Sequence, residues 1–119
     1  MIDTVIKTIA LEMPMGLEEI VQFEKLLQVV AVHAEQIHLE ISEERWLSMG
    51  VHLLSTMRRV EKGEKLPGVD QFILEQVSLE MLELSREILK NIENGFNNDT
   101  ETVLLALHFE TAKNNSLNK

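Results

Sequence analysis

"SEERWLSMGVHLLSTMRRV", residues 42–60, is the stretch that decides the fold. It contains no proline and opens on a serine followed by two glutamates. The Ser42 hydroxyl can accept an orphan amide of a first helical turn, and Glu43 and Glu44 favour the positive end of the helix dipole. Projected on a helix, Trp46, Met49, Leu53, Met57 and Val60 share one apolar stripe, and Leu47, Val51 and Leu54 share a second. Two stripes require two packing partners, so this helix is expected inside a layered helical fold. His52 belongs to neither stripe. It lies on a polar seam with Ser48 one turn before it, Thr56 one turn after it and Arg59 two turns on, a line rich in hydrogen-bond donors.

The same periodicity recurs outward in both directions. Five glycines and two prolines punctuate the chain, tyrosine is absent, and the segments between breaks carry apolar residues three and four apart, which predicts an all-α fold. Ile2, Val5, Ile6, Ile9 and Met13 fall on one face before Pro14, although their β-branching weakens helix propensity. A long helix is expected from Leu17 to about Leu39, with Ile20, Phe23, Leu26, Leu27, Val30, Ala34 and Ile37 as its buried stripe. The helix opened by Ser42 runs to about Val60, and "EKGEKLPG" at 61–68 reads as a loop turning at Leu66, Pro67 and Gly68. A short helix follows near Val69 to Gln76, a further one begins at Ser78 and ends at Gly95, and the last runs from Asn98 to about Lys113. Asn98 with Glu101 three residues on has the form of a capping box. The expected architecture is a compact bundle of about five helices over residues 16–114, with room for an extra short helix in residues 1–15 and a frayed tail at 115–119.

At 119 residues and 13.6 kDa the chain can close one core but not two. Its 45% apolar and 26% charged residues are those of a soluble domain, and no apolar run approaches the roughly 20 residues needed to cross a bilayer. The beginning "MIDTVIKTIALEMP" has neither the basic start nor the cleavage site of a signal peptide, so a cytoplasmic location is expected, without membrane contact. Without cysteine, disulfides, thiol catalysis and thiolate metal sites are excluded. A formal net charge of −9 opposes binding to phosphate backbones, so no direct contact with nucleic acid is expected.

His108 interrupts the apolar run "LLALHF" at 104–109. That helix has Val103, Leu104, Leu107 and Thr111 on one side and Leu105, Phe109 and Ala112 on the other, the pattern of a rod buried between neighbours. His108 lies between the sides, with Glu101 two turns before it, where its carboxylate could orient the imidazole through water or a local bend. Taken alone, such a histidine is most often a satisfied structural one. The remaining pair, in "HAEQIH", is not a zinc motif, because His33 and His38 are five apart and point away from each other. "EQIH" matches one Glu-x-x-His element of di-iron bundles, but Met49 and Leu105 stand three before His52 and His108, so neither a metal nor any other cofactor is expected. No glycine-rich phosphate loop or nucleophile elbow occurs, which argues against an enzyme.

Taken together, "VHLLSTMRR" at 51–59 and "TETVLLALHF" at 100–109 resemble the phosphotransferase-system regulation domain, the PRD of bacterial antiterminators and transcriptional activators. In that family a histidine precedes an arginine by seven residues, here His52 and Arg59. A second motif combines an acidic residue, an apolar run and Ala-Leu-His, here Glu101, "VLLALH" and His108. The resemblance spans about residues 17–113. It departs at Val51, where many members carry an acidic residue, and the RNA-binding or helix-turn-helix effectors often fused to tandem PRDs are not found in these residues.

The resemblance implies a five-helix bundle that forms a homodimer with its histidines near the interface. It further implies phosphorylation of His52 and His108 by the histidine phosphocarrier protein and sugar-specific enzyme II components, acting on a transcription regulator that can be a separate chain. Arg59, Arg58, Ser48 and Thr56 would stabilise the phosphate and Glu101 would orient a histidine. The competing readings are a helical dimerisation adaptor without phosphorylation and, further off, a metal-binding bundle enzyme.

Overall fold

The computed structural model describes residues 1–93 and 98–117, and all its regular elements are helices. They are α1 (Ile2–Glu12), α2 (Leu17–Gln36), α3 (Glu43–Lys62), the single turn α4 (Gln71–Leu74), α5 (Leu79–Leu89) and α6 (Asp99–Leu117). None of them is long and apolar enough to cross a membrane.

Local chemistry sets most of these boundaries. Ser42 accepts the Arg45 amide at 3.1 Å, Asp70 accepts that of Ile73 at 3.1 Å, and Ser78 accepts that of Met81 at 3.2 Å. At the start of α6 the Asn98 side chain accepts the Glu101 amide at 3.0 Å. The expected capping box forms on that side only, because the Glu101 carboxylate turns to Arg59. Gly63 closes α3 at φ 72°, a left-handed conformation that costs glycine nothing.

Helix α2 ends at Gln36 rather than near Leu39. His38 adopts φ 56°, its amide donates to the Glu35 carbonyl at 3.1 Å and the Leu39 amide to that of Ala34 at 2.8 Å. These are the paired bonds of a left-handed helix stop, and they leave Ile37 exposed rather than on the buried stripe. His38 thus has a backbone role. Helix α6 runs to Leu117, beyond the expected end near Lys113. Helix α5 ends at Leu89, short of the expected stop at Gly95, a residue that lies outside the described residues.

Helix α3 forms the centre of the bundle. Trp46, Met49 and Leu53 are buried on the first stripe and Leu54 on the second, while Val51 is exposed. One face receives α1, whose Val5, Ile6 and Ile9 are buried, so the N-terminal helix is part of the core. The other receives α6, which packs also on α5 and buries Val103, Leu105, Ala106, Phe109 and Ala112. Burying each such large side chain stabilises the fold by about 1.5–3 kcal/mol.

The approach of α1 to α3 depends on Gly50. A Cβ there would come within 2.7 Å of Ile9 Cδ1 and 3.4 Å of Val5 Cγ1. Gly50→Val is therefore expected to destabilise the protein by about 1–3 kcal/mol, read as a lower urea midpoint, because the added methyls push α1 away.

Candidate functional site

Helices α3 and α6 meet along their polar seams, and a seven-residue step on each brings the charged and titratable groups together in antiparallel order. Arg59 faces Glu101, and one step toward the start of α3 His52 faces His108. The two imidazole centroids are 5.6 Å apart with the ring planes tilted by 32°.

Arg59 and Glu101 form the base of the seam. Arg59 Nη2 donates to Glu101 Oε1 at 2.9 Å and Oε2 at 3.0 Å, and its Nε donates to Oε2 at 3.2 Å. Glu101 is 3% exposed, so its carboxylate depends on this guanidinium in place of water. Arg59 Nη2 also donates to Thr56 Oγ1 at 3.3 Å, and that hydroxyl donates to the His52 carbonyl at 2.8 Å. Thr56 thus links the arginine to the backbone of the histidine turn.

His52 lies beside Glu101, whose charge acts on its imidazole. Its Nε2 is buried with no hydrogen-bond partner. Burial pushes the imidazole below its ordinary pKa, the Glu101 charge opposes that, and Arg59 reinforces it. At neutral pH the ring is uncharged.

His108 meets a residue the sequence reading passed over. Arg45 Nη1 lies 3.0 Å from His108 Nδ1. Guanidinium has donors only, so Nδ1 must accept and the proton of the neutral ring sits on Nε2. Burial first, then the neighbouring His52 and the Arg45 charge, lower the His108 pKa to about 4.

The signal for Arg45 was present in the sequence. It stands seven residues before His52, as Arg59 stands seven after, so all three lie near one line of α3 about 10 Å apart along the axis. Only the downstream arginine belongs to a family motif.

Of the other expected site residues, Thr56 and Glu101 are in the network, although the Glu101 carboxylate goes to Arg59 rather than orienting His108. Arg58 points elsewhere. Its Nη2 donates to Glu19 Oε1 at 2.9 Å and to the Pro14 carbonyl at 2.9 Å, tying the link between α1 and α2 to α3, and it holds the Glu19 carboxyl below the usual range. Adjacent residues on a helix diverge by about 100°, so Arg58 and Arg59 could not both face the seam. Ser48 is exposed one turn from His52.

The depressed histidine pKa values fix the sign of a pH effect. A histidine that stays neutral when folded takes up a proton on unfolding, so the unfolded chain binds more protons between its own pKa near 6.5 and the folded value. Stability contributed by neutral His108 is complete above about pH 6.5 and is lost as pH falls toward about 4. The urea midpoint is expected to fall between pH 7 and pH 4.5, and His108→Gln to flatten that slope.

These features define a class, an all-helical module that presents two neutral imidazoles face to face between two arginines. The chain belongs to the PRD domain family, whose match covers residues 17–112. Helix α1 precedes that match. A search of curated proteins finds no match. Among solved structures, a PRD-containing transcription regulator from Lactobacillus casei ATCC 334 is similar in fold, with a TM-score of 0.73 and 24% identity, covering 81% of this chain and 84% of that one.

Proposed function

We propose that this chain is a regulatory phospho-acceptor module of the bacterial sugar phosphotransferase system, phosphorylated on His52 and His108 to control the activity of a transcription regulator. The observation that carries this reading is the pair of imidazoles 5.6 Å apart on facing helices, inside a domain of the PRD family. The donors are the histidine phosphocarrier protein and sugar-specific enzyme II components.

The chemistry suits the residues. Both rings are neutral at physiological pH, so each keeps a lone pair for attack on phosphorus. The N–P bond of the donor phosphohistidine breaks as the new N–P bond forms. The proton displaced from the acceptor ring is balanced by one taken up on the departing donor ring.

A phosphoryl group brings a charge of about −1.5 to −2 into the gap between α3 and α6. It attracts nearby guanidinium charge, favours a proton on the neighbouring imidazole, and changes how the two helices meet. Such a change is a two-state bias of a few kcal/mol, enough to alter subunit pairing in a homodimer. Val51, exposed beside His52, is an apolar residue that such pairing would cover.

The test is reconstituted phosphotransfer. With phosphoenolpyruvate, the general phosphotransferase enzyme and the phosphocarrier, the purified chain is expected to gain phosphoryl mass, and no gain would leave the adaptor reading in its place.

A further inference from the structure

We propose that Arg45, rather than Arg59, is the cation that receives the phosphoryl group carried by His108. This deepens the phospho-acceptor reading and rests on it. The argument compares the two arginines that flank the histidine pair. Arg59 is already committed, with three hydrogen bonds to the Glu101 carboxylate and one to Thr56, so its charge is cancelled within the seam. Turning it to an incoming phosphoryl would leave Glu101, 3% exposed, buried without its cation.

Arg45 has no such commitment. Among the described residues it makes no ion pair, its Nε is buried without a hydrogen-bond partner, and its side-chain bond to the ring nitrogen of His108 is a neutral acceptor's. The reason is legible in the register. The seven-residue step that sets Glu101 against Arg59 and His108 against His52 reaches Asn115 when carried once more along α6, so the sequence supplies no acid at the step that corresponds to Arg45.

A guanidinium 3.0 Å from the ring nitrogen is within side-chain reach of the oxygens of a phosphoryl group on that imidazole. It exchanges one weak acceptor for charged ones, and its unpartnered Nε becomes available as a second donor to the same group. In the transfer itself, the bond formed is N–P on His108 and the bond broken is N–P on the donor histidine. The electron pair and a balancing proton end on the donor ring, and Arg45 acts only as a positioning and charge-stabilising group.

The experiment isolates each histidine in the full-length chain. In a His52→Ala background only His108 is left in the pair, and phosphorylated phosphocarrier is the probe. Arg45→Gln is expected to slow uptake about tenfold or more and to shorten the lifetime of the phosphohistidine, with Arg45→Lys recovering part of both. Circular dichroism and the urea midpoint, compared with the parent, control for folding. In a His108→Ala background the same Arg45→Gln change is expected to leave uptake by His52 within about twofold, which a general loss of structure or donor docking would not.

Equal rates and lifetimes for the Arg45 and Arg45→Gln chains in the His52→Ala background overturn the assignment of Arg45. So does an equal loss in the two backgrounds. A different result, no uptake by either parent background, would overturn the phospho-acceptor reading itself and take the Arg45 assignment with it.

Discussion

The chain carrying both His52→Ala and His108→Ala is expected to take up no phosphoryl group from the phosphocarrier, while each single variant keeps part of the uptake. A phosphoryl acceptor at neutral pH must offer a lone pair on a good nucleophile, and with no cysteine in the sequence imidazole supplies it. Two of the four histidines lie elsewhere: His38 belongs to the turn that stops α2, and His33 is one and a half turns earlier on that helix. Neither has a second imidazole or an arginine bound to its ring among the described residues.

The fold should survive these changes, which is what makes the result readable. Both rings are neutral when folded, so truncating them removes no buried charge, and His52 Nε2 has no partner to orphan. What remains is lost packing at two partly buried positions and, for His108, the bond from Arg45, about 1–2 kcal/mol each, against a core built largely by α1, α2, α3, α5 and α6. Intact mass after exposure to the donor, with helicity from circular dichroism on the same sample, is the measurement. Full uptake by the double variant would remove both site residues from the proposal at once.

How the site came to be half legible in the sequence follows from where its information lies. The helix carrying "SEERWLSMGVHLLSTMRRV" declares itself by local chemistry: a serine cap, acids in the first turn, two apolar stripes, and a glycine at its end. Each is a near-neighbour effect, so each survives without knowledge of the partner helix. The end of α2 did not declare itself, because a histidine in a left-handed turn is chosen by the chain reversal that follows. The same distinction divides the site residues. His52, Arg59, Glu101 and His108 are fixed by motif spacing within one helix or the other. Which carboxylate meets which cation depends on the antiparallel register of α3 against α6, and no intrahelical spacing contains it. Hence Glu101, expected to serve His108 seven residues along its own helix, reaches across to Arg59, and Arg58 joins α2 through Glu19. The place of Arg45 on the line of His52 is legible in the sequence, but its partner is not, since that is on the other rod, 63 residues away.

The register also makes the Arg59–Glu101 pair the position where a single substitution should cost most in stability. Arg59→Ala is expected to lower the free energy of unfolding by about 3 kcal/mol or more, because it leaves the Glu101 carboxylate, 3% exposed, without its counter-ion. Most of that cost would be the desolvation of Glu101 and not the value of the bond itself, and this distinction can be measured. If the orphaned charge is the cause, removing it as well should restore the protein: Arg59→Met with Glu101→Leu should recover most of the lost stability, since a packed apolar pair replaces an ion pair at little net cost. A chain in which the double variant is as unstable as Arg59→Ala would instead assign the loss to packing of the arginine stem and to its bond with Thr56. Urea denaturation of the three variants separates the cases. The same three chains also test the division of labour between the arginines. With Arg45 intact, phosphoryl uptake on His108 should persist in the restored double variant even though both members of the lower pair are gone. A pair devoted to holding α3 against α6 can be rebuilt in hydrocarbon, whereas a cation devoted to phosphate cannot.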